Sequence, residues 1–106
     1  MKTINDIETI IQENQAVMLY FSAPTCNVCH ALKPKLFEAM ESNFEVFEKV
    51  SIDISEAQDV AAHFGVFTIP TIIVFLEGKE FFKKSRNMSI DEVVKEIKRP
   101  YEMMLS

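Results

Sequence analysis

The chain lacks a long apolar run, a block of positive charge, an internal repeat and a dividing linker, and it holds only two cysteines. No apolar stretch reaches the ~18 residues that a membrane helix needs, so no membrane partner is expected. Lys and Arg number 11 against 16 Asp and Glu, a net charge of −5, and no basic stripe interleaves with aromatics. Nucleic acid is therefore not an expected partner. The one local excess of positive charge, Lys83, Lys84 and Arg86, reads as the solvated edge of a hairpin rather than a phosphate site. The opening Met1-Lys2-Thr3-Ile4-Asn5-Asp6 lacks the charged-then-apolar layout of a secretory signal, which points to the cytoplasm; whether a leader preceded it stays open. A composition 48% hydrophobic and 25% charged excludes disorder, low complexity and collagen-like chains. The length of 106 residues predicts one domain over 1–106, a monomer that buries roughly two-thirds of its unfolded surface without disulfide staples.

The two cysteines, Cys26 and Cys29, stand at a spacing that chance would give in about 2% of placements. As a staple the pair would be poor, because so short a loop removes little entropy from the unfolded chain. Chemistry is the better reading. Structural zinc needs four ligands, and one C-x-x-C with His30 and His63 far apart in the pattern does not supply them. Cys26-Asn27-Val28-Cys29-His30 also spells C-x-x-C-H, but haem attachment asks for a secreted setting and a helical cage. No metal and no cofactor are expected.

Around that pair the pattern alternates. Asn5-Asp6-Ile7-Glu8 reads as a capping box with Asn5 at N-cap, opening a helix with Ile7, Ile10 and Ile11 that runs to about Asn14. Val17 to Phe21 is an unbroken apolar strand. A helix from about Cys26 to Asn43 follows, with Pro34 inside it as a kink. Phe44 to Ile54 reads as a strand with Phe44, Val46, Val50, Ile52 and Ile54 on one face; Phe47 and Glu48 are exceptions. Glu48 is either an exposed strand end or a buried proton carrier near Cys29. Ser55-Glu56-Ala57-Gln58 is a second box, whose helix Gly65 closes. Thr71 to Leu76 reads as the central strand, turning at Glu77-Gly78-Lys79 into Glu80 to Ser85. Ser89-Ile90-Asp91-Glu92 opens a last helix that Pro100 should end, with the tail from Tyr101 to Ser106 packed on the body. Strands alternating with helices predict an α/β fold with a mainly parallel sheet and an antiparallel hairpin edge.

Residues 4–99 resemble the thioredoxin family. The likeness rests on the C-x-x-C after a buried strand, Pro34 five residues past Cys29, and Ile69-Pro70-Thr71 in the manner of that family's cis-proline signature. Phe75-Leu76-Glu77-Gly78-Lys79 resembles its hairpin turn, and Ile52-Asp53 a strand ending. The resemblance implies a thioredoxin-like fold: a central mixed sheet of four strands, or five if Lys2 to Ile4 form one, with helices on both faces. It also implies a thiol–disulfide oxidoreductase, most simply a protein-disulfide reductase. Cys26, at a helix N-terminus that favours an anion, would be the nucleophile, and Cys29 would resolve the mixed disulfide. Thr25, Ile69 and Pro70 would bind substrate; Asn27, Val28, His30, Tyr20 and Lys49 would tune the pair. Partners implied are protein or small-molecule disulfides and an electron donor of the thioredoxin-reductase type.

Several positions depart from the family pattern. Tyr20 stands where a buried Asp is usual, Lys49 lacks its usual mate, Arg86 replaces a glycine of the substrate surface, and there is no Trp. These departures keep open a rival of another class, a thioredoxin-fold binding module with idle cysteines.

Overall fold

The unbroken apolar run becomes strand β1 (Ala16–Ser22), buried from Ala16 to Phe21 in a computed structural model that describes residues 2–106; Met1 lies outside the described residues. Such burial needs partners on both edges and both faces. Strand β2 (Glu48–Asp53) pairs parallel to β1, β3 (Thr71–Leu76) antiparallel to its other edge, and β4 (Lys79–Ser85) antiparallel to β3. The order is β2-β1-β3-β4, a mixed sheet of four.

The expected mainly parallel sheet is corrected here, because one of the three pairings is parallel. Between β2 and β3 lies α3 (Gln58–His63), whose six residues span ~9 Å. A six-residue strand is ~20 Å long. So short a helix cannot return the chain across the sheet. β3 therefore enters at the end where β2 left: Ile54 donates to the Ser22 carbonyl, and Thr71 lies opposite Phe21.

Helices α1 (Ile4–Glu13) and α3 cover one face, packing Ile7, Ile11, Val60 and Ala61 on Val17, Leu19, Phe21 and Ile73. Helices α2 (Asn27–Asn43) and α4 (Ile90–Leu105) cover the other, packing Leu36, Met40, Val93 and Ile97 on Met18, Tyr20, Ile72 and Val74. Among the described residues no helix is long and apolar enough to cross a membrane.

Four local expectations are corrected. The first capping box starts at Thr3, not Asn5: Asp6 N–H donates to Thr3 Oγ1 (3.1 Å) and Thr3 N–H to Asp6 Oδ2 (2.9 Å). This start brings Ile4 onto the buried stripe and leaves no room for a Lys2–Ile4 strand. At α3 the N-cap is Ala57, without a side-chain bond, because Ser55 bonds to Asp53 Oδ1 instead. β2 begins at Glu48 rather than Phe44. Phe44 and Phe47, three residues apart, both turn onto Tyr101 (ring centroids 4.8 and 6.0 Å), a spacing no strand supports. Val46 N–H donates to the Tyr101 hydroxyl (2.8 Å). That same tyrosine explains the fourth: α4 runs through Pro100 to Leu105, since burying Tyr101 and Met104 outweighs one missing backbone bond.

Candidate active site

The chemistry collects where β1 ends. Past Ser22 the chain turns through Ala23-Pro24-Thr25, and Cys26 N–H donates to the Ala23 carbonyl (3.1 Å). Cys26 is the N-cap of α2, its Sγ accepting from Cys29 N–H at 3.2 Å. The sulfur therefore sits where unpaired N–H groups and the helix dipole favour negative charge. Cys26 and Cys29 are joined as a disulfide, with Cα atoms 5.3 Å apart. Cys26 is half-buried, whereas Cys29, one turn in, is 1% exposed. An attacking thiol meets Cys26 first.

The second wall comes from the loop before β3. The Ile69–Pro70 peptide is cis and Pro70 is buried. The Pro70 carbonyl accepts from Arg86 N–H (2.8 Å), while Thr71 Oγ1 donates to the Thr68 carbonyl (2.7 Å) and lies 2.8 Å from Ser85 Oγ. The loop is thus tied to the end of β4. A depression of about 410 Å³ opens between the walls, lined by Cys26, Asn27, Val28, Ile69, Pro70, Arg86 and Asn87.

The remaining expected site residues are placed as follows. Thr25 is exposed in the turn. Val28 is 62% exposed and also borders a second depression with Leu32, Met88 and Ile90. His30 Nε2 lies 2.8 Å from the Pro24 carbonyl; a carbonyl only accepts, so this nitrogen carries the proton and the ring pins the turn to α2. Tyr20 is wholly buried and its hydroxyl donates to the Cys29 carbonyl (2.8 Å), which ties the first turn of α2 to β1. Burial pushes the Tyr20 phenol above its ordinary 10.0, so it stays neutral.

Lys49 is not brought to the site. It lies opposite Met18, four residues before the Asp53–Ser22 end, ~13 Å along the strand, and its Nζ faces Glu41 (3.8 Å). Glu48 is exposed at the far end of β2, which rules out a buried proton carrier. Among the described residues no carboxylate or histidine is buried, so the core holds no base for Cys29. Nor do any three His, Cys, Asp or Glu side chains among them stand ready to share a metal ion.

Sequence reasoning misses Asn87, and registers Arg86 only in the cation cluster of the hairpin and as a departure from the family's substrate surface.

A family model described as thioredoxin matches residues 2–99. The thioredoxin-like protein YdfQ of Bacillus subtilis is 29% identical, covering 97% of this chain and 91% of the relative. A thioredoxin of Echinococcus granulosus is 38% identical over 70% of this chain and 68% of its own length. Among solved structures, thioredoxin 1 of Thermosipho africanus superposes with a TM-score of 0.75 at 33% identity, covering 85% of this chain and 99% of that one. Mitochondrial thioredoxin 3 of Saccharomyces cerevisiae gives 0.82 at 21% identity, over 92% and 91%, a likeness of fold.

Proposed function

The chain belongs to the thioredoxin family and is a thiol–disulfide oxidoreductase, and from that premise we propose that it works as a protein-disulfide reductase with Cys26 as nucleophile and Cys29 as resolving thiol. The observation that carries this reading is the asymmetry of the pair: one sulfur open at the N-cap of α2, the other 1% exposed one turn inside.

In the reduced protein the Cys26 thiolate attacks a substrate disulfide. A Cys26–substrate bond forms, the substrate S–S bond breaks, and the leaving sulfur takes up a proton. Cys29 then loses its proton and attacks Cys26 Sγ, releasing the second substrate thiol and leaving the Cys26–Cys29 disulfide. Two electrons pass from dithiol to substrate. With no buried base at Cys29, that proton leaves to solvent.

Thr25, Ile69 and Pro70 receive the substrate chain, Pro70 offering no N–H to compete beside the sulfurs, while Asn27, Val28 and His30 tune the pair. The same reading has the protein acting as a monomer in the cytoplasm. A donor of the thioredoxin-reductase type restores the dithiol.

Turnover of insulin with dithiothreitol as donor, together with thiolate absorbance at 240 nm, tests the proposal. Cys26→Ser should abolish turnover, and Cys29→Ser should accumulate a mixed disulfide. A wild-type Cys26 that titrates like free cysteine and turns over nothing would return the protein to the binding-module class.

A further inference from the structure

Of the three cations clustered at the end of β4, two are engaged. Lys83 Nζ donates to the Phe64 and Gly65 carbonyls at the end of α3 (2.9 and 3.3 Å), and Lys84 pairs with Glu96 (2.7 Å). Arg86 has no carboxylate partner among the described residues. Its backbone is nonetheless held on both sides: its N–H donates to the Pro70 carbonyl (2.8 Å) and its carbonyl accepts from Met88 N–H (2.9 Å). Its φ is 62°, the left-handed region that disfavours any residue with a β-carbon. Arg86 is thus a fixed part of the rim of the depression that holds Cys26 and Pro70, and it is exposed there.

Charge in that depression runs against the rest of the molecule. The whole chain carries −5, yet the lining contains one cation, the amides Asn27 and Asn87, and no Asp or Glu. A substrate with an acidic group beside its half-cystine meets repulsion over much of the surface and, beside the disulfide, a fork-shaped donor that no carboxylate of the described residues occupies.

We infer that Arg86 is a specificity-determining residue that selects disulfides bearing a carboxylate within a residue or two of the half-cystine, whether in an acidic peptide or in glutathione disulfide. This rests on the oxidoreductase reading. The exchange at Cys26 is unchanged; Arg86 holds the substrate carboxylate while the new S–S bond forms and the old one breaks.

The test uses the reduced full chain and three disulfide peptides that differ only in having Asp, Asn or Lys beside the half-cystine, with glutathione disulfide as a fourth substrate. Each rate is divided by that of dithiothreitol on the same substrate, which removes the substrate's own reactivity. At low salt kcat/KM should fall from Asp to Asn to Lys by about one-and-a-half- to fivefold per step, the scale of an exposed ion pair, and the steps should shrink as salt screens them. Arg86→Gln should level the series, Arg86→Lys keep its order, and Arg86→Glu reverse it. Glutathione disulfide normalised above the Asp peptide assigns the carboxylate to the small molecule; the opposite order assigns it to peptides. Equal rates on the three peptides, or an order that survives Arg86→Gln, overturns the inference. No reduction of any substrate overturns the oxidoreductase reading, and this one with it.

Discussion

Tyr20 shows how one side chain links core to site. It occupies the position of a carboxylate in the family it resembles, but its hydroxyl donates to a carbonyl, not to a sulfur. Its ring packs edge-on against Phe37 (5.7 Å). Tyr20→Phe keeps the ring and removes the bond, which should cost ~1 kcal/mol of stability. Burial raises its folded pKa above 10.0, and the sign of the pH effect follows. Below about pH 10 the phenol is protonated folded and unfolded, so the stability linked to that proton is fully present. As the pH climbs from there through the raised folded value, the unfolded chain ionises first and stability is lost. Urea titrations at pH 8 and pH 11 should show wild type losing more than Tyr20→Phe, lysine titration being common to both. An equal loss would mean Tyr20 is not held neutral.

At the scale of elements, Pro100 is where local and tertiary rules collide. It removes the backbone donor that would meet the Glu96 carbonyl, and α4 continues anyway because Tyr101 is buried one residue later. Pro100→Ala should therefore stabilise the protein by about 1–3 kcal/mol, the restored helical bond outweighing the freer unfolded chain. A higher melting temperature with unchanged helicity is the expected result. A lower one would mean that what the Pro100 ring contributes at the depression it lines with Leu76 and Met103 exceeds the bond. The same collision marks the boundary of what sequence patterning reveals. Element order was legible because apolar periodicity is local, and Cys26 and Cys29 were legible because a three-residue spacing at a helix start carries its own meaning. The direction of β3 was not, since it depends on the length of α3 against the width of the sheet. The start of β2 was not, since Phe44 and Phe47 answer to a tyrosine far along the chain. Thr3 and Asn5 both begin a plausible box, and only the burial of Ile4 decides between them. Arg86 and Asn87 join the site because Pro70 and β4 are bonded together, a contact that no run of residues announces.

The molecule as a whole is two apolar layers on one sheet, and whether they melt together decides whether residues 1–106 form one folding unit, as the length predicts. The chain offers its own probe. It has no Trp and two Tyr, and both, Tyr20 and Tyr101, lie in the layer under α2 and α4. The other layer, under α1 and α3, contains neither. Ile11 in α1 is 2% exposed in that second layer, so Ile11→Ala should cost about 2–5 kcal/mol by leaving a cavity. β1 sends Leu19 into one layer and Tyr20 into the other, and its hydrogen bonds hold β2 and β3 on its two edges. A loss on the α1 face must then be felt across the sheet, because β1 cannot leave one layer without leaving both. In denaturant, the tyrosine-fluorescence midpoint of Ile11→Ala should fall together with its far-ultraviolet dichroism midpoint, each by the same amount relative to wild type. A fluorescence midpoint that stays at the wild-type value while the dichroism shifts would separate the layers and refute a single unit.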